Sequence, residues 1–500
     1  MNFKNTNALT LITRSIDGTG NNLKHPQWGA KDIPLVRRAK ANYADGVSQP
    51  VEYLPNPREI SNSIGALDGE VPTNSKGLTL AFVTWGQFIS HDMDHTDAGK
   101  EESMPIPVPE DDEFFTDVEE LSFFRSKFIK DTKPRQHSNV LSVWIDGGIV
   151  YGSDAATVKK LRTLKDGKLK TSDEGNLLPK EGKLFLAGDK RANENMVLTC
   201  FHSIFVKEHN RLCDEIKKAN PKLSDEQIYQ VARNYVVGLL QKITFDEYLP
   251  LYIGRQKFDQ LVGDYRGYDP SVKPNIETEF STAAFRIAHA TLMSEFKALD
   301  QKGEVSRNYT LKDLFFNPEE LTRELKADII RGSGKTLMKE RNEQMVDDMR
   351  NFLLSDFKDK LRLDLYSLNI QRGRDHGLPG YNEARRAYGL RPIHNFEEIV
   401  PEEKKELASK LQSLYGSPEY MDLWVGVLSE RSYGDGILGE LGCKMTAEAF
   451  KKLRDGDRFW YEHTYPRQIA QEIKRTTFVE VITRNLGESI LTDDIFVNYD

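Results

Sequence analysis

The sequence predicts an all-α fold, a large single domain built mostly of helices. From Val197 onward apolar residues recur every three or four positions, the period of a helix that packs on one face. Ser224 and Gln227 form a capping box ahead of a second periodic segment that continues to Ile243. We find no run of alternating polar and apolar residues long enough for a major sheet.

Further helices are predicted at 78–95, 283–297, 318–330, 340–368 and 402–414. The informative motifs are scattered along the whole chain without a repeat or a low-complexity linker, so we expect one domain over residues 1–500. Residues 1–60 are rich in Gly, Pro and Asn and should wrap the helical body as irregular chain. The stretch 97–137 begins with an acidic, proline-rich segment and should be a surface loop region.

The composition excludes some classes of partner. The 500 residues include 77 Asp+Glu and 69 Lys+Arg, a net charge of −8, which offers no basic surface for nucleic acid. No apolar run approaches the ~20 residues of a transmembrane helix. The apolar stretch Ala8–Ile12 is too short for a signal-peptide core. We therefore expect a cytoplasmic protein, leaderless secretion, or a secreted protein whose leader has been removed.

Three cysteines do not support a disulfide framework. Cys200 and Cys213 fall on one predicted helix, about 20 Å apart at ~1.5 Å per residue, which is beyond disulfide reach. Together with Cys443 they are expected to be buried free thiols.

The segment T-W-G-Q-F-I-S-H-D-M-D-H, residues 84–95, carries the first candidate site. On a helix Gln87 and His91 are four residues apart and project from the same face, where they can bind a small polar molecule and move a proton. His91 and His95 have the same spacing, which is also typical of zinc ligands. A polar helix face explains the pattern equally well, so this segment alone leaves the three interpretations open.

Three other segments combine unusual residues. Arg191 and Glu194 lie three apart and could face one cavity or form a surface salt bridge. His289 sits in a helix of small and apolar residues, where it is either a core histidine or a ligand to a flat group that approaches the backbone. The run from Ser367 to Asn382 mixes Arg372 and other charged residues with Gly-Pro turns, which is unusual for a simple loop.

Together these segments resemble the animal heme peroxidase family, the peroxidase–cyclooxygenase group. The resemblance spans about residues 14–490 in the order of the family. It rests on Asp17–Asn22, Pro26–Gly29, the Gln87/His91 helix, Trp144–Asp146, Tyr151–Ser153, Lys207–Leu212, Tyr248–Pro250, Arg372–Asn382 and Leu453–Trp460. It implies a myeloperoxidase- and cyclooxygenase-like helical fold with heme b buried between central helices.

The resemblance also assigns roles on the peroxide side of the heme. His91 matches the distal histidine, which takes a proton from hydrogen peroxide and returns it to the leaving oxygen. Gln87 matches the glutamine that orients peroxide. Arg191 matches the arginine whose positive charge stabilises the breaking O–O bond.

On the other side of the heme, His289 matches the axial ligand of the iron. Asn369 matches the residue that accepts the other ring N–H of this histidine and fixes its tautomer. Arg372 and Arg286 match positions near the heme propionates and the proximal side, where buried carboxylates need cationic partners.

A calcium site is implied as well. Asp92 matches a calcium ligand, and residues 142–148 match the loop that supplies the others: Ser142 by hydroxyl and carbonyl, Trp144 by carbonyl and Asp146 by carboxylate. The family usually has a hydroxyl residue where this chain has Gly148, which can offer only its carbonyl or a water.

The sequence departs from the mammalian members at their covalent heme links. Ser90 replaces the aspartate that forms one ester, so this ester cannot form. Glu194 matches the glutamate of the second ester, which can still form. Asn195 replaces the methionine that links myeloperoxidase to its heme. Fewer links imply a less distorted and less oxidising heme.

These features predict a peroxidase that acts on phenolic donors, iodide, bromide or thiocyanate through a ferryl-heme intermediate. The fatty-acid dioxygenase branch has a radical-forming tyrosine three residues before the proximal histidine, where this chain has Arg286. A catalytically dead scaffold for adhesion is the second alternative, which the intact set of matched residues disfavours. A zinc hydrolase built on His91 and His95 explains none of the other motifs.

Overall fold

The computed structural model describes residues 13–172, 175–352 and 363–499, and most of its regular structure is helical, as predicted. The α-helices are α1 (Pro57–Ile60), α2 (Leu80–Met93), α3 (Gly148–Tyr151), α4 (Ala155–Leu161), α5 (Met196–Ala219), α6 (Asp225–Lys242), α7 (Leu249–Ile253), α8 (Arg255–Leu261), α9 (Thr278–Thr282), α10 (Leu311–Leu314), α11 (Arg323–Lys335), α12 (Leu365–Asp375), α13 (Tyr381–Ala387), α14 (Lys405–Tyr415), α15 (Leu423–Ser429), α16 (Glu440–Asp455), α17 (Tyr461–Thr464), α18 (Arg467–Arg475) and α19 (Phe478–Leu486). Short 3-10 segments lie at Lys190–Asn193, Ala284–Thr291, Pro318–Glu320 and Phe396–Glu398, and π-helical turns at Ser61–Gly65, Ile243–Tyr248 and Asp348–Phe352.

The strands are short and pair only in twos within the described part of the chain. They are β1 (Ile33–Pro34), β2 (Ala98–Ser103), β3 (Ile106–Pro107), β4 (Glu120–Leu121), β5 (Phe124–Ser126), β6 (Ser138–Asn139), β7 (Lys180–Glu181), β8 (Leu184–Phe185), β9 (Glu295–Leu299) and β10 (Val305–Thr310). The antiparallel pairs are β1 with β6, β2 with β5, β3 with β4, β7 with β8, and β9 with β10.

Helix α2 runs through the core. The Thr79 side chain caps it by accepting from the Phe82 N–H at 3.3 Å, and most of its residues are buried. Helix α5 packs against α2 and α6, and the capping box of Ser224 and Gln227 starts α6 as predicted. The predicted helices at 78–95 and 402–414 are confirmed by α2 and α14.

The predicted helix at 283–297 is wrong in its type and length. The chain forms a 3-10 segment from Ala284 to Thr291 and becomes extended at Leu292, and β9 follows. Strand β9 pairs with β10 and packs against α11. Exposed and buried residues alternate along β9, because successive side chains of a strand point to opposite faces. The run of small residues before His289 favoured a regular helix, but this tertiary pairing ends it.

Two other predicted helices also change. Residues 318–330 divide into the 3-10 turn at Pro318 and α11, which extends to Lys335. Within 340–368 the structure shows a π-helical turn at Asp348–Phe352 and the start of α12, so this segment is not one continuous helix. Residues 353–362 of that prediction lie outside the described residues.

The predicted loop regions contain some order. Segment 97–137 includes the pairs β2–β5 and β3–β4, and Ile106, Phe115 and Leu121 form a small apolar cluster of their own. Between residues 13 and 56 the chain is mostly irregular apart from β1. The short apolar stretch Ala8–Ile12 lies outside the described residues.

One apolar core joins residues from Leu35 to Val497. All three cysteines are buried free thiols, as expected. Among the helices that the structure describes, none combines the length and apolarity that a membrane crossing requires.

Candidate active site

Both candidate histidines line one cavity of about 290 Å³. Helix α2 contributes Gln87 and His91, and the 3-10 segment contributes Ala288 and His289. The rest of the wall is largely apolar and aromatic, and it includes Leu80, Val83, Tyr248, Tyr252, Phe285, Leu292, Leu314, Phe315, Phe316, Met349 and Leu365. The cavity therefore combines a few convergent polar groups with an apolar wall, the usual character of a cofactor site.

His289 is held by Asn369 of α12. The amide oxygen of Asn369 lies 3.2 Å from Nδ1 of His289, and the amide nitrogen lies 3.1 Å from the same atom. Burial lowers the pKa of His289 to about 4, and the charge of Arg286 adds to this effect. At neutral pH the imidazole is therefore neutral. When the Asn369 oxygen accepts from Nδ1–H, the lone pair stays on Nε2, where a metal could bind.

The polar groups around His91 form a short hydrogen-bonded chain. Nδ2 of Asn195 donates to Oε1 of Gln87, and Nε2 of Gln87 donates to Oε2 of Glu194, each at 2.8 Å. The same Glu194 oxygen lies 3.7 Å from Nε2 of His91. Gln87 and His91 are thus on one face of α2, as their spacing predicted.

Burial shifts the pKa values of His91 and Glu194 in opposite directions. It lowers the pKa of His91 well below its ordinary value, and the nearby charge of Arg191 acts in the same direction. It raises the pKa of Glu194 to about 7, and the charge of Asp189 adds to the rise. His91 is therefore a neutral base, and the Glu194 carboxyl exchanges its proton near neutral pH.

Arg191 lies beside the last turn of α2. Its guanidinium pairs with Asp189 through Nη2–Oδ2 at 2.7 Å and Nε–Oδ1 at 2.9 Å. It also donates to the carbonyl oxygens of His91 and Asp94, both at 3.3 Å. Glu194 lines the cavity, whereas Arg191 is not among the residues that line it in the described structure. Asp189 stands only two residues before Arg191 and was not among the site residues predicted from the sequence.

Two further arginines lie on the His289 side. Nε of Arg286 donates to the carbonyl of Ser281 at 3.1 Å, and burial lowers the pKa of Arg286 to about 10. Within the described residues no carboxylate pairs with the Arg286 guanidinium. Nη1 of Arg372 contacts Oδ2 of Asp375 at 2.8 Å, and its guanidinium lies 4.2 Å from the Phe123 ring centre. A desolvated guanidinium without a carboxylate is costly, so the Arg286 site suits an anionic group.

The carboxylates of Asp92, near the end of α2, and Asp146 lie close together. The Asp92 carboxylate accepts the N–H groups of Asp146, Gly147 and Ile149 at 3.1 Å, and the Ser142 hydroxyl donates to Asp146 at 2.6 Å. Burial raises the pKa of Asp92 to about 8, with Asp146 adding to the rise, and burial also raises the pKa of Asp146. Two enclosed carboxylates of this kind favour a bound cation.

Gly148 faces this carboxylate pair. A Cβ atom on Gly148 would lie 3.4 Å from Oδ1 of Asp92 and 3.5 Å from Oδ1 of Asp146. The space that a hydroxyl side chain would fill in the resembled family is therefore next to both carboxylates. Trp144 belongs to the same loop, and its indole N–H donates to the Gly18 carbonyl at 3.4 Å.

A second buried cluster, His137, Asp375 and His376, was missed by the sequence analysis, although Asp375 and His376 belong to the run that it singled out. The two imidazoles stack with centres 3.8 Å apart and planes 8° apart. Arg125 and Arg372 both bind the Asp375 carboxylate at 2.8 Å. Stacked rings and neighbouring arginines do not suit a divalent cation, so we assign Asp375 to the orientation of Arg372.

The chain matches the family model described as animal haem peroxidase over residues 13–496. It is 32% identical to lactoperoxidase from Mesocricetus auratus, over 95% of this chain and 76% of that relative. Peroxinectin A from Dictyostelium discoideum is also 32% identical, over 95% of this chain and 94% of that protein.

Solved structures give the same answer for the fold. Peroxidase A from Dictyostelium discoideum superposes with a TM-score of 0.87 and 30% identity, over 97% of this chain and 100% of that chain. The fatty acid alpha-dioxygenase of Oryza sativa superposes with a TM-score of 0.82 at 23% identity, over 99% of this chain and 88% of that one, a likeness that shows the fold alone. The motifs, the fold and the sequence relatives agree: this chain is a peroxidase and belongs to the animal heme peroxidase family.

Proposed function

We propose that this peroxidase binds one heme b between His91 and His289 and uses hydrogen peroxide to oxidise phenols, iodide, bromide or thiocyanate. The observation that carries the proposal is the pair of neutral histidines on one cavity, of which only His289 has its Nδ1 held by an amide in the described structure. This asymmetry supports iron binding by Nε2 of His289 and proton transfer by His91.

The residues present fit a heme. The mostly apolar wall, with Phe285, Leu292 and Leu365, suits a porphyrin ring, and Arg286 lacks a carboxylate partner in the described structure. A heme propionate would provide this partner, and Arg372 could bind a second one while Asp375 keeps it oriented. Heme, when bound, supplies the iron centre that takes up the oxidising equivalents of the peroxide.

The chain's own residues then transfer the protons. His91 is neutral because burial lowers its pKa, so Nε2 can accept a proton from one peroxide oxygen and return it to the oxygen that leaves as water. The amide of Gln87 orients peroxide beside it. Arg191 donates to the carbonyl oxygens of His91 and Asp94 at the end of α2, so its positive charge would act on the breaking O–O bond from behind the cavity wall.

Calcium and a single covalent heme link complete the proposal. The carboxylates of Asp92 and Asp146, with Ser142, Trp144 and Gly148, would hold calcium directly behind His91 and fix the end of α2. Glu194 lines the cavity, and we infer that its carboxyl forms one ester with the heme.

A fatty-acid dioxygenase would have a radical-forming tyrosine three residues before His289. Position 286 is instead an arginine, which donates to the Ser281 carbonyl. The zinc alternative is also disfavoured. His95 lies 3.5 Å from Asp97, and within the described residues no third ligand joins His91 and His95 at metal distance.

A donor panel tests the proposal. Heme-loaded protein with peroxide should oxidise a phenol and iodide. It should oxidise chloride only negligibly at neutral pH, because with Ser90 and Asn195 the chain lacks two covalent links that make the heme more oxidising. Chloride oxidation at a rate comparable with bromide would contradict this reading of the missing links. No peroxide-dependent oxidation of any donor would refute the proposed activity.

A further inference from the structure

Helix α12, which holds His289 through Asn369, also carries one member of a buried aromatic pair, and a second aromatic pair is exposed. Helix α12 carries both Asn369, which contacts His289, and Tyr366, one helical turn earlier, about 5–6 Å away between Cβ atoms. The Tyr366 ring is fully buried and lies edge-to-face on Trp424 of α15, with centres 4.7 Å apart and planes 82° apart. Helix α15 also packs against the 3-10 segment that bears His289.

The second aromatic pair consists of two exposed tyrosines. Trp424, Tyr53 and Tyr420 line one small surface cleft. Tyr53 is 62% exposed and Tyr420 is 53% exposed, and their rings contact each other with centres 5.5 Å apart. A buried indole thus separates the heme side of the protein from a solvent-facing tyrosine pair.

The hydrogen bonding of these groups determines which of them can carry charge. In the described structure neither the Tyr366 hydroxyl nor Nε1 of Trp424 has a hydrogen-bond partner, and both atoms are buried. An oxidised phenol must release its proton at once, and Tyr366 has no acceptor for it. An indole can hold its proton as a radical cation, so Trp424 can be oxidised and then restored without proton exchange.

We propose that Trp424 carries oxidising equivalents from the heme to Tyr420 and Tyr53, where phenolic donors too large for the cavity are oxidised. The inference rests on the proposed peroxidase function. Trp424 gives one electron to the peroxide-oxidised heme site and becomes a radical cation. Tyr420 or Tyr53 gives one electron to Trp424 and its phenolic proton to water. A phenolic donor then returns one electron and one proton to the tyrosyl radical and leaves as an aryloxyl radical.

Radical trapping tests the path on the heme-loaded protein. Wild type is mixed with one equivalent of peroxide and 2-methyl-2-nitrosopropane without a donor, and adducts are located by peptide mass spectrometry. We expect adducts on Tyr420 or Tyr53 and their loss in Trp424→Phe. Tyr499, which is 84% exposed but does not line this cleft, is the matched control and should carry none.

A second variant covers the case in which Trp424→Phe fails to bind heme. In the surface variant Tyr53→Phe/Tyr420→Phe, oxidation of tyramine linked to dextran, which cannot enter a cavity of 290 Å³, should be lost relative to iodide oxidation. Adducts that persist in Trp424→Phe, their absence from both tyrosines of wild type, or an unchanged dextran-to-iodide ratio would overturn the path. Wild type that oxidises iodide but forms no such adducts refutes this inference alone, whereas wild type that oxidises nothing refutes the proposed function.

Discussion

The amide oxygen of Asn369 lies 3.2 Å from Nδ1 of His289, so one ring nitrogen of this histidine is already engaged inside the protein. The contact joins α12 to the 3-10 segment across 80 residues of sequence. It distinguishes His289 from His91, whose Nδ1 is buried without a partner in the described structure. The two histidines of the cavity are therefore not equivalent.

Loss of His289, the proposed iron ligand, should abolish tight heme binding. In His289→Ala we expect no saturable heme titration by absorbance, because Nε2 of this residue is the assigned ligand. Asn369→Leu should weaken heme binding by about 10- to 100-fold, since the ring loses the partner that fixes its tautomer. The control is His95→Ala, a partly exposed histidine outside the cavity wall, which should bind heme normally. Normal heme binding by His289→Ala would exclude this residue as the ligand.

Covalent attachment should depend on Glu194 alone. After cycling with peroxide, acid-acetone extraction should leave part of the heme on wild type and none on Glu194→Gln, because Ser90 cannot form the other ester. Glutamine keeps the size of the side chain and its hydrogen bonding to Gln87, so the comparison isolates the carboxylate. Complete extraction from both proteins would show that Glu194 is only a polar wall residue.

The free energy of unfolding of the heme-free protein should depend on pH through the Glu194 carboxyl. Folding raises the pKa of Glu194 from 4.5 to about 7, mainly by burial. Between these values the folded chain keeps a proton that the unfolded chain has lost, so the free energy of unfolding falls as pH rises through this window. For a side chain that is 32% exposed we expect a loss on the order of 1–2 kcal/mol.

Urea unfolding at about pH 5 and about pH 8 measures this loss. Glu194→Gln cannot ionise, and it should lack this part of the decrease. Equal slopes with pH in the two proteins would mean that Glu194 ionises as it does in the unfolded chain.

Calcium should stabilise the fold through Asp92 and Asp146. Because burial raises the pKa of both carboxylates and Asp146 adds to the rise for Asp92, chelation should lower the melting temperature, and Asp146→Asn should remove the response to calcium. Gly148→Ser places a hydroxyl beside both carboxylates and should increase calcium affinity. Calcium titrations followed by melting temperature test all three proteins. An identical response in wild type and Asp146→Asn would place any calcium elsewhere.

The sequence was informative wherever a local pattern decides the structure. The four-residue spacing of Gln87 and His91 correctly predicted one helix face, and the capping box at Ser224 correctly predicted the start of α6. The motifs also predicted the family and the mostly helical fold, which the comparisons confirm.

Interactions between distant segments could not be predicted in this way. The 3-10 segment around His289 ends where β9 pairs with β10, a partner that its own small residues do not indicate. Arg191 contacts carbonyl oxygens 97 and 100 residues away and pairs with Asp189, whereas the sequence left open a shared cavity or a salt bridge with Glu194. Such contacts depend on packing between elements rather than on local spacing.

The central claim is that His91 acts on peroxide at a heme held by His289, and stopped-flow absorbance tests it most directly. Heme-loaded wild type and His91→Ala are mixed with hydrogen peroxide, and the spectral change of the heme is followed. We expect the second-order rate constant to fall by about 100-fold or more in His91→Ala, because the neutral base is lost while the His289–Asn369 contact is kept. A rate equal to that of wild type, with heme equally bound, would contradict it.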